Sequence, residues 1–166
     1  MDLVRIGIIQ YGFWPSQEIL VSYLNSKKNK IDPLQRVISW KSEVMSIKRV
    51  KSGEFIGYGT SYIARDNMKI ATIPLGYSHG YCRSLSNQGK VLINGQYCDV
   101  IGTVNMNMLT VNITEINNVK KGDEVVLIGN QKSLSLSVAS FSDLSNMLNY
   151  ELLSRISKTI PRKILK

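Results

Sequence analysis

The dipeptide Asn94-Gly95, set between 91-VLI-93 and 96-QYCDVI-101, is the strongest constraint on how this chain can fold. Both central residues of a type I′ turn need positive φ, which Asn and Gly tolerate best, and such a turn joins two antiparallel strands in fixed register. From Val37 onward the sequence repeats the same texture. Short stretches rich in β-branched and aromatic residues occupy 36–50, 54–64, 68–76, 90–104, 107–113 and 124–129, with turn signals at Ser52-Gly53 and Gly122-Asp123. Several short strands at close spacing predict a mainly β fold, an antiparallel barrel or sandwich.

Two regions depart from this pattern. In 134-LSLSVASFSDLSNMLNYELLSRI-156, Val138, Phe141, Leu144, Leu148 and Leu152 fall at helical spacing, which predicts one or two short helices. At the other end, 3-LVRIGIIQYG-12 reads as a buried strand running into glycine, followed by a helix starting near Gln17 with Ser16 as its cap. A buried strand needs neighbours on both sides. Nothing else in the chain alternates strand with helix, so the first segment is expected to be the end of a larger α/β unit.

Composition narrows the chemistry. With 43% hydrophobic and 20% charged residues, the 166-residue chain should form a packed core, and no apolar run is long enough to span a bilayer. The N-terminal segment has neither a basic cluster nor a small-residue cleavage site, so a cytoplasmic protein is expected. Two cysteines, Cys82 and Cys98, cannot make a disulfide framework, and the single histidine, His79, cannot supply a histidine-pair metal site, so no metal is expected. Chemistry must come from tyrosine, lysine, arginine or carboxylates. The formal charge of +9 favours an anionic contact without choosing among nucleic acid, phosphorylated ligand or acidic partner.

Specific information lies in short blocks: 4-VRIGIIQYG-12, 57-GYGTSY-62, 73-IPLGYSHGY-81, 101-IGTVNMNML-109 and 156-ISKTIPR-162. In this order and spacing they resemble the C-terminal part of bacterial alanine racemases, including the related serine racemases of vancomycin-resistant bacteria. The resemblance covers essentially the whole chain. It implies residues 1–33 as the end of a pyridoxal phosphate-binding α/β barrel and 34–166 as the β-rich C-terminal domain. It also implies a head-to-tail homodimer in which each β domain completes the active site of the other subunit. The lysine that forms the Schiff base belongs to an early part of the family's barrel, so the isolated chain is expected to be inactive.

Racemisation at Cα requires a proton to leave one face and another to arrive on the opposite face, work for two opposed bases around an electron-withdrawing cofactor. By resemblance one base is Tyr58, and a phenol, with an ordinary pKa of about 10, needs activation by its surroundings near neutral pH. The plainer alternative is a strand tyrosine packed on its sheet. The resemblance further implies that Arg5 faces the cofactor's pyridine nitrogen, that the amides of Gly7 and Ile8 approach its phosphate, and that the Met106 amide meets the substrate carboxylate. Met106 and Met108 also alternate as a strand face would, and packing is the competing role. Tyr77 and Arg83 are implied to line the substrate's access corridor. The product would be D-alanine for peptidoglycan precursors.

Several positions depart from the family pattern. His79 stands where the corridor motif has an aspartate, Thr103 where an arginine is frequent, Asn107 where an aspartate is frequent, and Lys158 where some members place a phosphate-touching tyrosine. Losing the charges at 103 and 107 together resembles a compensated pair. These changes leave alanine and serine both open as substrates. The competing function is a basic β-barrel that binds RNA or an acidic partner through stacking tyrosines, and a third is a non-catalytic racemase relative. The primary reading involves neither nucleic acid nor membrane.

Overall fold

The structure is a computed structural model describing residues 3–138, 141 and 149–165. The chain divides into two compact units, Met1–Ile38 and Ser39–Lys166. Among the described residues no helix is long and apolar enough to cross a membrane.

In the first unit, residues 3–7 are exposed and form no strand, contrary to the buried strand expected there. The physical reason is that a strand needs a ladder partner, and no described segment of this unit supplies one. Gly7 instead leads into a 3₁₀ turn, Ile8–Tyr11, anchored by the buried Ile8 side chain. The predicted helix is present as α1, Gln17–Asn25, where Ser16 Oγ accepts the Ile19 N–H at 3.4 Å. Trp14 packs on Tyr23 with ring centroids 5.0 Å apart and donates from Nε1 to Asp32 Oδ1 at 2.8 Å. The Leu34 N–H also donates to Asp32 Oδ1, at 2.9 Å, and these two donors, the Leu34 amide first and Trp14 second, hold the Asp32 carboxyl below its ordinary pKa.

The second unit is mainly β, as expected, with its antiparallel strands spread over separate sheets. One sheet is built from β1 (Trp40–Glu43), β6 (Lys90–Ile93), β7 (Gln96–Asp99), β9 (Glu124–Gln131) and β10 (Leu134–Leu136), ordered β1-β9-β6-β7 with β10 also on β9. A second sheet has β2 (Ser46–Val50), β5 (Met68–Ile73) and β8 (Leu109–Asn112) in the order β2-β5-β8. A small ribbon pairs β3 (Phe55–Ile56) with β4 (Tyr62–Ile63). A bridge between Val100 and Val111 links the end of β7 to β8. The predicted turn joins β6 to β7, with Ile93 opposite Gln96 and φ of +53° at Asn94 and +76° at Gly95.

Three expected elements differ in detail. The run 36–50 is two strands in two sheets, because the chain changes partner at its middle: Val44 N donates to Asp123 O and Met45 N to Thr72 O, each at 2.9 Å. The run 54–64 is interrupted by a 3₁₀ turn at Tyr58–Thr60. Residues 134–136, expected in a helix, form β10 on β9, since Leu134 and Leu136 alternate inward with strand period. A helix does follow as α2, Asn149–Arg155, with Leu152 fully buried; Leu144 and Leu148 lie outside the described residues. The core gathers Val91, Leu92, Ile93, Val125, Val126 and Leu127 from the larger sheet and Ala71, Ile73, Leu109 and Val111 from the second.

Candidate functional site

Tyr58 is presented by a backbone contrivance. Buried Ile56 anchors the end of β3, and Gly57 then takes φ +82° and lies flat against the next loop, where a Cβ would come 3.3 Å from Gly102 Cα and Thr103 N. Only glycine adopts that backbone and permits that approach without strain. Tyr58, first in the turn, is 76% exposed, and its hydroxyl makes no hydrogen bond among the described residues. It is not packed on a sheet, so the strand-tyrosine alternative fails.

Polar side chains fix this turn to its surroundings. Thr103 Oγ1 donates to Ser61 Oγ at 2.8 Å. Asn87 donates from Nδ2 to Ser61 O at 3.2 Å and accepts the Gly102 N–H at Oδ1 at 2.6 Å. Ser86 Oγ accepts the Val104 N–H at 3.0 Å and donates to Arg83 O at 2.6 Å. The Tyr58 turn, the 83–87 segment and the 102–104 loop are thereby bonded into one cluster. Arg83 begins a 3₁₀ turn, Arg83–Leu85, with its side chain exposed.

The same loop continues to Met106, where it meets the turn Tyr77–His79. Tyr77 N donates to Asn105 O at 3.0 Å, Ser78 N to Met106 O at 3.0 Å, and Ser78 Oγ to Met106 O at 2.8 Å. Gly76 is pressed so close to the Asn105 and Met106 carbonyls that a Cβ would collide with both. Met106 is 54% exposed and Met108 is also exposed, so neither is core. The Met106 N–H makes no hydrogen bond among the described residues. Tyr77 is exposed at the start of its turn. The structure therefore brings Tyr58, Tyr77, Arg83 and Met106 onto one set of mutually bonded loops.

The departing residues have defined surroundings. His79 Nδ1 accepts the Gly76 N–H at 3.2 Å, which places the ring proton of the neutral imidazole on Nε2, and its carbonyl accepts the Ser157 N–H at 3.2 Å. Asn107 Oδ1 is 2.7 Å from Ser78 Oγ. Thr103 and Asn107 thus each bond a serine, Ser61 and Ser78. Lys158 is exposed. A cavity of about 240 Å³ lined by Trp40, Leu75, His79, Thr159 and Pro161 opens beside this region, while a larger one near 350 Å³ is lined by Tyr81, Leu85, Tyr97 and Phe141 and by none of the predicted site residues.

Arg5, Gly7 and Ile8 belong to the first unit. Arg5 is exposed, and nothing lies within 4 Å of where a Gly7 Cβ would be. In the turn, Gly7 O accepts the Gln10 N–H at 3.2 Å, which leaves the Gly7 and Ile8 amides ahead of the first turn bond. Among the described residues no group of His, Cys, Asp and Glu could hold a metal. Sequence reasoning missed Ser61, Ser78 and Asn87; their partners are remote in sequence, and a serine or asparagine in a loop carries no local signature of such a contact.

Comparison with known proteins bears on what this arrangement is for. Residues 37–164 match the family described as alanine racemase, C-terminal domain. The alanine racemase of Halothermothrix orenii is 40% identical over 163 residues, covering 98% of this chain and 41% of that protein. The crystal structure of alanine racemase from E. faecalis superposes with a TM-score of 0.82 at 29% identity, covering 96% of this chain and 40% of that one. The alanine racemase of Bartonella henselae, solved with covalently bound pyridoxal phosphate, gives 0.79 at 30% identity over 95% of this chain and 40% of its own. This chain spans about 40% of the length of the curated relatives it matches.

Proposed function

The chain belongs to the alanine racemase C-terminal domain family, and from that premise we propose that it supplies an amino-acid racemase with a proton-transferring tyrosine and a carboxylate-binding amide. The observation that carries this reading is the Tyr58 hydroxyl, held out on a turn that is bonded to the loop bearing the Met106 N–H, both groups without a hydrogen bond among the described residues. One group suits a proton in transit. The other suits a carboxylate, which backbone N–H groups bind with charge-assisted strength.

In this reading Tyr58 Oη takes the Cα proton from one face of the substrate as the phenolate, or as the phenol returns one there, while a base outside the motifs of this chain serves the opposite face. The Met106 N–H holds the substrate carboxylate and so sets which face Tyr58 meets. Tyr77 and Arg83 flank the approach. Both groups act in the active site of the partner subunit of a head-to-tail homodimer, and the substrate is alanine, with serine as the alternative. The work is done in the cytoplasm.

The residues of the first unit suit pyridoxal phosphate. The Gly7 and Ile8 amides are donors at the start of a turn with open space at Gly7, as a phosphate requires, and Arg5 is an exposed cation two residues earlier. When bound, the cofactor supplies the electron sink that makes the Cα proton acidic. Arg5 would face its ring nitrogen and disfavour protonation there, which restrains side reactions such as transamination.

The test is racemisation of L-alanine and L-serine by the racemase subunit that carries this chain, wild type against Tyr58→Phe. Loss of proton removal from one enantiomer in the variant, with cofactor binding unchanged, supports the reading. A folded, cofactor-loaded wild type that racemises neither amino acid sinks it.

A further inference from the structure

We infer that Ser78 is a positioning residue for the substrate carboxylate, acting by locking the peptide geometry around Met106; the inference rests on the amide role proposed for Met106. Two planar peptides meet at the Met106 Cα. The first contains the Asn105 carbonyl and the Met106 N–H, which point in opposite directions, so the Tyr77 N–H bond to Asn105 O at 3.0 Å aims the Met106 N–H away from Tyr77. The second contains the Met106 carbonyl, which accepts from Ser78 twice, at 3.0 Å from the backbone N–H and 2.8 Å from Oγ. With both planes held, the rotations on either side of Met106 Cα are closed.

The hydroxyl has one proton and can also accept. Two further groups approach it: Asn107 Oδ1 at 2.7 Å and His79 Nδ1 at 3.3 Å. The His79 nitrogen is already accepting the Gly76 N–H at 3.2 Å. An amide at 107 can turn over and present its NH₂ to Oγ, which leaves the hydroxyl proton for the Met106 carbonyl. A carboxylate at 107 can only accept, and would draw that proton away. The structure places Asn107 Oδ1 against Oγ; turned over, the Asn107 amide becomes the donor that keeps the Ser78 proton on Met106, and the two side chains then act as a matched pair.

The experiment compares wild type, Ser78→Ala, Ser78→Thr and Asn107→Asp by two readouts. The Ser78 side chain is exposed and the backbone bonds survive its removal, so Ser78→Ala should fold. Hydrogen exchange on the full chain reads the loop directly: in Ser78→Ala the Tyr77 and Ser78 amides should lose about tenfold protection, in Asn107→Asp a smaller factor, and Ser78→Thr should restore it. In the cofactor-loaded racemase, Ser78→Ala should raise KM for alanine about fivefold with kcat changed less than about twofold, because uniform substrate binding is lost. Unchanged exchange overturns the clamp. Loosened exchange with unchanged KM overturns its link to the carboxylate. A wild type without racemisation sinks the proposed function instead, and exchange alone then decides whether Ser78 holds the loop.

Discussion

Thr103 Oγ1 donates to Ser61 Oγ at 2.8 Å, and this one bond ties the turn that presents Tyr58 to the loop that presents Met106. Asn87 braces the same junction from the other side, holding Ser61 O and Gly102 N. Thr103→Val keeps the shape and removes the bond. It should cost about 1 kcal/mol of stability by chemical denaturation, and it should lower kcat more than it raises KM, since the group proposed to transfer the proton is the one set loose. An effect on KM alone would show that the Tyr58 turn is held by other means.

Gly76 faces the Asn105 and Met106 carbonyls with no room for a methyl group. Its φ of −153° is ordinary extended backbone, so any penalty for substitution comes from collision alone. Gly76→Ala must push the Met106 loop outward or unseat the Tyr77–His79 turn. The expected cost is about 2–4 kcal/mol, seen as a lowered Tm. A variant as stable as wild type would mean the loop yields freely, and the Met106 N–H would then be poorly aimed even in the native protein.

Burial pushes the Cys98 thiol up to about 12, the neighbouring Asp99 charge adding to the effect. The raised value means that the unfolded chain ionises first. Its thiol loses a proton from about pH 9, while the folded thiol keeps its own until about pH 12. Across that window the unfolded state binds fewer protons, so stability falls as pH rises. Cys98→Ala should flatten the alkaline limb of the stability profile. Below pH 8, iodoacetamide should modify half-exposed Cys82 and spare Cys98; modification of both at equal rates would contradict the burial.

Arg49 stands directly opposite Lys69 across β2 and β5, and neither cation has an ion-pair partner among the described residues. Like charges in facing register are unfavourable. Lys69→Glu should stabilise the domain by about 0.5 kcal/mol, and the gain should shrink as salt is added. A gain that survives high salt would have a non-electrostatic origin.

How much of this was legible in the sequence depended on the range of the interaction. The Asn94-Gly95 hairpin and the Ser16 cap are written in adjacent residues and were read correctly. The break in 36–50 was invisible, because apolar residues continue through Val44 while the hydrogen-bond partners switch from one sheet to another. In 134–136 the strand alternation of Leu-Ser-Leu is masked by the helical spacing of the residues that follow, although two residues of turn after β9 suffice for a hairpin. The first segment has the apolar residues of a buried strand but no strand partner among the described residues of its own unit, and a strand cannot form from side chains alone. Tyr58, Met106, Tyr77 and Arg83 stand out only through family resemblance, since no local rule distinguishes an exposed loop tyrosine from a packed one. The contacts that aim them join residues such as Ser78 and Met106, far apart in sequence, and only the fold brings these together.

The contact of Gly57 with Gly102 puts backbone against backbone, with no side chain between them to be exchanged. Selection can adjust a side-chain contact one methyl group at a time, but it has no such dial here. The turn that carries Tyr58 and the loop that leads to Met106 therefore meet at a joint made of main chain alone. Side-chain contacts around it, such as the hydroxyl bonds of Thr103 and Asn107, can be exchanged one group at a time, whereas the main-chain joint under Tyr58 can change only by moving the chain itself.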